Sequence, residues 1–176
     1  MKRKIKRRVN TGTDATRYLL LRHIHPADDT DITWERLDEW YTANLVNGLG
    51  NFIARVMKMA ESNLDDPVFV DDTERNERLI LTTGLGNLIE EFKFNEALDK
   101  IWGEISEADK EIETKKPYRL LKSNPEEAKE IIRGLVKKLH RIAVLLEAFM
   151  PDTSQIIYQA IRENRKPDNL FPRLGE

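Results

Sequence analysis

An all-α antiparallel helix bundle is the architecture this sequence predicts, and three observations predict it. Apolar residues recur at three- and four-residue steps over two long stretches, 33–63 and 125–150. No strand-like alternation is longer than Val68-Phe69-Val70. The links between periodic stretches are short, which sets neighbouring helices antiparallel. The hydrophobic share of 40% suffices for one core in 176 residues, and the net charge of only −2 excludes disorder of the whole chain. The near-neutral balance also means that any nucleic-acid site has to be a local patch.

The chain starts MKRKIKRR, six basic residues in eight. No apolar run and cleavage site follow, so this is not a signal peptide. The expectation is a basic arm over residues 1–11, either a frayed terminus or a contact for RNA, followed by one helical domain over 12–176. A short helix, ATRYLLLRHI, comes next, with Thr13 and Asp14 as caps, and Pro26 and the acidic DDTD end it. The helix predicted over Thr33–Asn63 has Leu37, Trp40, Tyr41, Leu45, Leu49, Phe52, Ile53, Val56, Met57 and Ala60 on its inner face. Thr33 suits its cap, and Arg36 stands where a Glu would complete a capping box. Its middle is unusual. Asn44, Asn47, Gly48, Gly50 and Asn51 crowd two turns, and each glycine costs about 1 kcal/mol against alanine. Such residues imply a close approach by another backbone and a need for polar contacts.

A loop, NLDDPVFVDD, leads to a helix expected over 73–92, in which Gly84–Asn87 repeat the string Gly48–Asn51. The next helix carries Phe94, Ala97, Leu98, Ile101, Trp102, Ile105 and Ala108 inward, and Pro117 ends it. Asn124 and Pro125 then start the most regular helix, with Ala128, Ile131, Ile132, Leu135, Leu139, Ile142, Leu146 and Phe149 as its inner face. Pro151 stops it, and Asp152 or Thr153 caps a last helix, SQIIYQAIRENR.

The absence of cysteine excludes disulfides and thiolate zinc sites and fits a cytoplasmic protein. His23 and His25 do not face each other on a helix and have no further ligands nearby, so no metal site is expected. No glycine-rich phosphate loop, G-x-S-x-G string or cysteine nucleophile is present, so no catalytic residues are assigned. No apolar run is long enough to cross a membrane.

Two constellations carry chemistry. Asn51 and Arg55 lie one turn apart on one helix face. Tyr118, on the turn made by Pro117, is surrounded by Lys115, Lys116, Arg119 and Lys122, which suits a stacking platform beside a phosphate track. A tyrosine there either stacks under a base or plugs the end of the bundle. Lys129, Arg133, Lys137 and Arg141 read as a solvated helix face.

LVNGLGNFIARVMKM (45–59) closely resembles the N-x-LGN-x-x-x-R helix that begins the anticodon-binding domain of methionyl-tRNA synthetases. GTDATRYLLLR (12–22) resembles the segment leading into that bundle, although the residues before it do not match the KMSKS signature. KPYRLLK (116–122) resembles the family's KPW-x-L-x-K turn, with Tyr118 in place of the tryptophan, and LFPR (170–173) resembles its closing segment. At Asp109 the family usually has Asn. The resemblance spans about Gly12 to Leu174. It implies a helix bundle of the class I synthetase anticodon-binding type, a role in holding the anticodon stem-loop of tRNA(Met), and base contacts from Asn51, Arg55 and Tyr118. It also implies a catalytic domain of the same enzyme as partner, and methionine and ATP as that enzyme's substrates, with no cofactor bound by this chain. A free-standing tRNA-binding protein and a bundle that binds a protein partner remain open as alternatives.

Overall fold

A computed structural model describes residues 12–24, 31–70 and 83–174. The basic arm, His25, Pro26 and the first part of the helix expected over 73–92 lie outside the described residues. Helix α1 spans Gly12–His23, α2 Trp34–Trp40 and α3 Asn51–Asn63, with a π-helical segment Tyr41–Gly50 joining the last two. Then follow α4 (Leu85–Glu90), α5 (Phe94–Lys115), the one-turn α6 (Pro117–Leu120), α7 (Pro125–Leu146) and α8 (Pro151–Arg162). Among the described residues there is no strand; Val68–Val70 is irregular, and Phe69 is 85% exposed.

The core is one cluster. Leu45, Leu49, Phe52, Ile53, Val56 and Met57 from the long helix meet Ile132, Leu135 and Leu139 from α7, Ile101 and Ile105 from α5, and Ile157 and Ile161 from α8. Those of the long helix, α5 and α7 belong to the inner faces that helical spacing predicts. Helices α5 and α7 run antiparallel and are clamped at two levels, by a forked Arg141–Glu104 pair and by Lys138 on Glu111. Helix α1 is fastened to α5 by stacking of Tyr18 on Trp102 at 4.3 Å, with Arg22 over the indole and bonded to Asp99.

The long helix is continuous in direction but not in pitch. Thr33 caps it as expected, accepting from the Arg36 amide at 3.3 Å, while the Arg36 side chain donates to the Asp31 carbonyl. From Tyr41 the turns widen to the π form, which is a common site of local adaptation. Gly50 shows why the sequence is so rich in small residues here. A Cβ on it would stand 2.9 Å from the Leu45 carbonyl oxygen and 3.1 Å from the Phe171 ring. What comes close is therefore a ring from the C-terminal tail and the helix's own carbonyl, not a second backbone. Asn44 reaches His23, whose ring lies flat on Trp40 at 4.2 Å.

Three further expectations are corrected. Asp14 does not cap α1; it is buried within that helix and accepts from the Thr153 amide at 2.7 Å. It thus caps α8, which neither Asp152 nor Thr153 does. Gly84 is left-handed, at φ 67°, so the second GLGN string interrupts the expected helix rather than extending it. The α7 helix ends at Leu146, and a turn carries the buried Phe149 into the core. Asn124 and Pro125 do start it, with the Asn124 side chain accepting from the Glu127 amide.

Two outcomes are expected. Gly134 has open space where a Cβ would stand, so Gly134→Ala should raise stability by up to about 1 kcal/mol. Gly50→Ala should lower it by about 1–3 kcal/mol, because the added carbon strikes fixed backbone and outweighs the propensity gain. Denaturant melts of both proteins check this, and an unchanged or stabilised Gly50→Ala protein overturns the close-approach account.

Burial holds the Asp14 carboxyl above its ordinary value of 3.8, against the lowering effect of the Thr153 amide. The folded state therefore binds this proton more tightly than the unfolded chain does. Its contribution to stability is fully present below the ordinary value and is lost as pH rises through the raised one. Asp14→Asn keeps an acceptor and removes the buried charge. It should match or exceed the wild type at pH 7, with the difference shrinking in acid, whereas Asp14→Ala should lose about 1 kcal/mol of capping. An Asn protein less stable than the Ala protein at neutral pH contradicts this.

Candidate nucleic-acid interface

Asn51 opens α3 on the exposed side of the long helix, and its side chain makes no hydrogen bond among the described residues. Arg55, one turn on, is 29% exposed and engaged. Its Nη1 donates to Asp109 Oδ1 at 2.7 Å and its Nη2 to Glu113, two carboxylates one turn apart on α5. This fork joins α3 to α5. It uses two of the five guanidinium N–H donors and leaves three. Because all three side chains are partly in solvent, the pairs add only about 0–1 kcal/mol to stability. Their larger effect is to hold the guanidinium plane in one orientation beside Asn51.

From Glu113 the α5 helix has one turn left, so Lys116 stands about 5 Å further along. Lys116 takes a left-handed conformation at φ 45°, and Pro117 starts α6 with its ring buried. This sharp change of direction lifts Tyr118 off the bundle: it is 42% exposed and is not a plug. Arg55 is thus bonded to Glu113, five residues before Tyr118 on the neighbouring turn.

The charges around Tyr118 differ from those elsewhere. Lys116, Arg119 and Lys122 are exposed and have no ion-pair partner among the described residues. Lys115 is the exception, bound to Glu111 at 2.7 Å. Three of the four cations on the α7 face are instead paired, Lys129 with Asp65, Arg133 with Glu130 and Arg141 with Glu104, while Lys137 is exposed. Hydrogen bonds from Lys115 and Lys138 hold Glu111 below its usual carboxylate range.

Sequence reasoning missed a third component. After α8 the chain turns back along the long helix as a strap. Asn164 donates to the Leu64 carbonyl at 2.9 Å, Phe171 packs on Gly50, and the Tyr41 hydroxyl donates to the Pro172 carbonyl at 2.9 Å. Between these fastenings the strap and the helix enclose a groove of about 330 Å³, lined by Asn47 and Asn51 on one side and Lys166, Asn169 and Arg173 on the other. The LFPR string marked the tail, but nothing local in sequence shows which helix it lies on.

The fold is a helix bundle of the class I tRNA synthetase type, and the family model described as tRNA synthetases class I (M) matches residues 3–57. Within that class the chain's relatives are methionyl-tRNA synthetases, to which it is homologous over about nine-tenths of its length. It is 33% identical over 155 residues to the methionine–tRNA ligase of Clostridium acetobutylicum, an overlap of 83% of this chain and 24% of that protein. To the Thermotoga maritima methionine–tRNA ligase it is 29% identical over 164 residues, covering 89% of this chain and 26% of that one. The Mycobacterium tuberculosis methionyl-tRNA synthetase in complex with methionyl-adenylate superimposes with a TM-score of 0.68 at 26% identity, over 92% of this chain and 38% of that one. Its apo form gives a TM-score of 0.73 at 24% identity, over 94% and 40%, a likeness of fold. The chain spans about a quarter to a third of the length of the curated relatives it matches.

Proposed function

We propose that this chain holds the anticodon stem-loop of tRNA(Met), as the recognition domain of a methionyl-tRNA synthetase. The observation that carries the proposal is the half-exposed Tyr118 on its proline turn, beside Lys116, Arg119 and Lys122, which have no ion-pair partner among the described residues. Anticodon bases are single-stranded and splayed, so their edges are open to side chains and their faces to stacking. Tyr118 stacks under one base, and Lys116, Arg119 and Lys122 neutralise phosphates, with Lys115 shared between phosphate and Glu111. Asn51 donates to and accepts from a base edge, and Arg55 adds its three unspent donors. Aminoacylation itself, which uses methionine and ATP, belongs in this reading to the catalytic domain of the same enzyme. A cytoplasmic location goes with that role; none of the helices among the described residues is long and apolar enough to cross a membrane.

The pairing of Arg55 with Asp109 and Glu113 shapes the expected effect of its removal. Arg55→Ala exposes two carboxylates beside the bound loop, so affinity should fall for every anticodon. The loss should be larger for CAU than for a changed anticodon, narrowing the gap between them. Binding assays with both loops at one salt concentration check this. Equal losses for the two loops remove Arg55 from base reading and leave it an electrostatic role.

Tyr118→Ala should cost about 1–3 kcal/mol of stem-loop binding and little stability, because the ring contributes more contact to a ligand than to the core. Tyr118→Trp should retain or improve binding through its larger face. Affinity and melting temperature measured on the same three proteins decide the point: unchanged affinity in the alanine protein ends the stacking assignment.

A further inference from the structure

We infer that His23 is a proton-operated latch on helix α2: as a neutral ring it clasps Trp40 and Asn44 and docks the start of the long helix, and on taking a proton it releases both and lets α2 swing at the π segment. The inference goes beyond the proposed function and does not depend on it, because no RNA enters it.

The packing of α2 is slight. None of the residues Trp34–Trp40 is buried, and Trp34 is 73% exposed. A seven-residue helix is too short to persist by itself in water. The bonds at its start are local: Thr33 accepts from the Arg36 amide, and the Arg36 side chain donates to the Asp31 carbonyl. Trp40 is the residue that reaches across the chain. The His23 ring lies on it at 4.2 Å, with the two planes 4° apart. Asn44, one turn on, makes the second contact, its amide nitrogen 3.4 Å from His23 Nε2. The amide N–H donates there, so Nε2 accepts and Nδ1 carries the proton of the neutral ring. Movement of α2 stops at Tyr41, whose hydroxyl is held by the Pro172 carbonyl and where the pitch changes.

The surroundings distinguish the two forms of the ring. A protonated ring has no acceptor left, and its Nε2–H meets the donor group of Asn44. Arg22, the preceding residue, is a cation that the fold holds in place. It is bonded to Asp99 at 2.8 Å and to the Tyr18 hydroxyl, and it lies over the Trp102 ring at 4.9 Å. The Tyr18 ring meets the imidazole edge-on at 6.0 Å, and its hydroxyl, pushed far up by burial, stays neutral. Burial first and Arg22 second hold the imidazole below its ordinary value of 6.5, against the opposing pull of Asp99 on α5. The folded state therefore binds this proton more weakly than the unfolded chain does. The stabilisation from the neutral ring is fully present above 6.5 and is lost as pH falls through the lowered value. Attraction of a charged ring to the Trp40 face works against release, and a midpoint below 6.5 means that it is outweighed. The loss falls on α2 because α1 keeps fastenings of its own: Tyr18 on Trp102, Arg22 on Asp99 and Asp14 on the Thr153 amide.

The test uses the whole chain and two readouts against pH. One is the titration of the His23 ring by NMR. The other is hydrogen exchange of the Leu37–Tyr41 amides, corrected for the intrinsic rate, with the α7 amides as reference. In the wild type the ring midpoint should lie below 6.5. Protection of α2 should fall at least about twofold between about pH 7.5 and about pH 5, while α7 stays level. His23→Phe keeps a flat ring on Trp40 and cannot take a proton, so its α2 protection should not change with pH. Asn44→Asp sets a carboxylate against the ring. It should carry the midpoint above 6.5 and make α2 protection rise in acid, a reversal of sign that a merely structural contact does not give. A wild-type midpoint at or above 6.5 overturns the latch. A lowered midpoint with level α2 protection overturns it too, because the ring then titrates without releasing Trp40. Equal acid loosening in the His23→Phe protein assigns the effect to another group and has the same consequence. If Asn44→Asp leaves the midpoint where it was, the Nε2 contact is not formed and the latch falls with it.

Discussion

The contact between Gly50 and Phe171 is the constraint on which the rest depends. A bare α-carbon lets the tail ring sit against the helix and lets the wide π turn close on the Leu45 carbonyl. The ring, buried with Leu170, anchors the strap, and the strap makes the second wall of the groove. The same turn sets the phase of α3 relative to α2. In the wider π form each residue advances by a smaller angle, so the ten residues from Tyr41 to Gly50 change which face Asn51 and Arg55 present. A structural glycine thus determines where two polar side chains point, and the LGN string unites packing and site chemistry in three residues.

Much of the fold was legible because long amphipathic helices advertise their inner faces. Most residues that three- and four-residue spacing selects on α5 and α7 are buried, with Phe94, Trp102 and Ile131 only partly so, and Ile112, Val136, Ala143, Val144 and Leu145 are buried besides. Helix starts with local signals were legible as well: Thr33 and Asn124 each accept from an amide three residues on. What could not be read was any contact made across the chain. Asp14 looks like a cap for its own helix because caps are normally local, yet its acceptor serves Thr153, 139 residues away. The π segment was hidden for a different reason. Its apolar spacing is close to that of an α-helix over ten residues, and only the clustered glycines hint that the pitch changes.

For the candidate site, the residue types were legible and their states of engagement were not. Asn51 and Tyr118 are exposed, as base-contacting groups have to be. Arg55 is braced by carboxylates on a helix more than fifty residues away. No pattern in sequence assigns those partners, because Asp109 and Glu113 sit in a run of acids that looks uniformly solvated. The bracing alters the chemistry. An arginine between two carboxylates has its charge offset locally, so what it offers a ligand is directional hydrogen bonding more than net attraction.

That difference separates two kinds of basic residue in this protein. On α7 the cations other than Lys137 and His140 close ion pairs that cross between helices or along one, and their charge is offset within the fold. Around Tyr118, Lys115 aside, and at Lys166 and Arg173 on the strap the cations lack such partners among the described residues. A nearly neutral chain can therefore present local positive patches: Glu104 and Glu111 are spent clamping α5 to α7, while Lys116, Arg119 and Lys122 stay unpaired among the described residues. Composition averages the two populations away. Only the pairing pattern distinguishes a helix face that solvates the bundle from one that can displace counterions from a phosphate backbone.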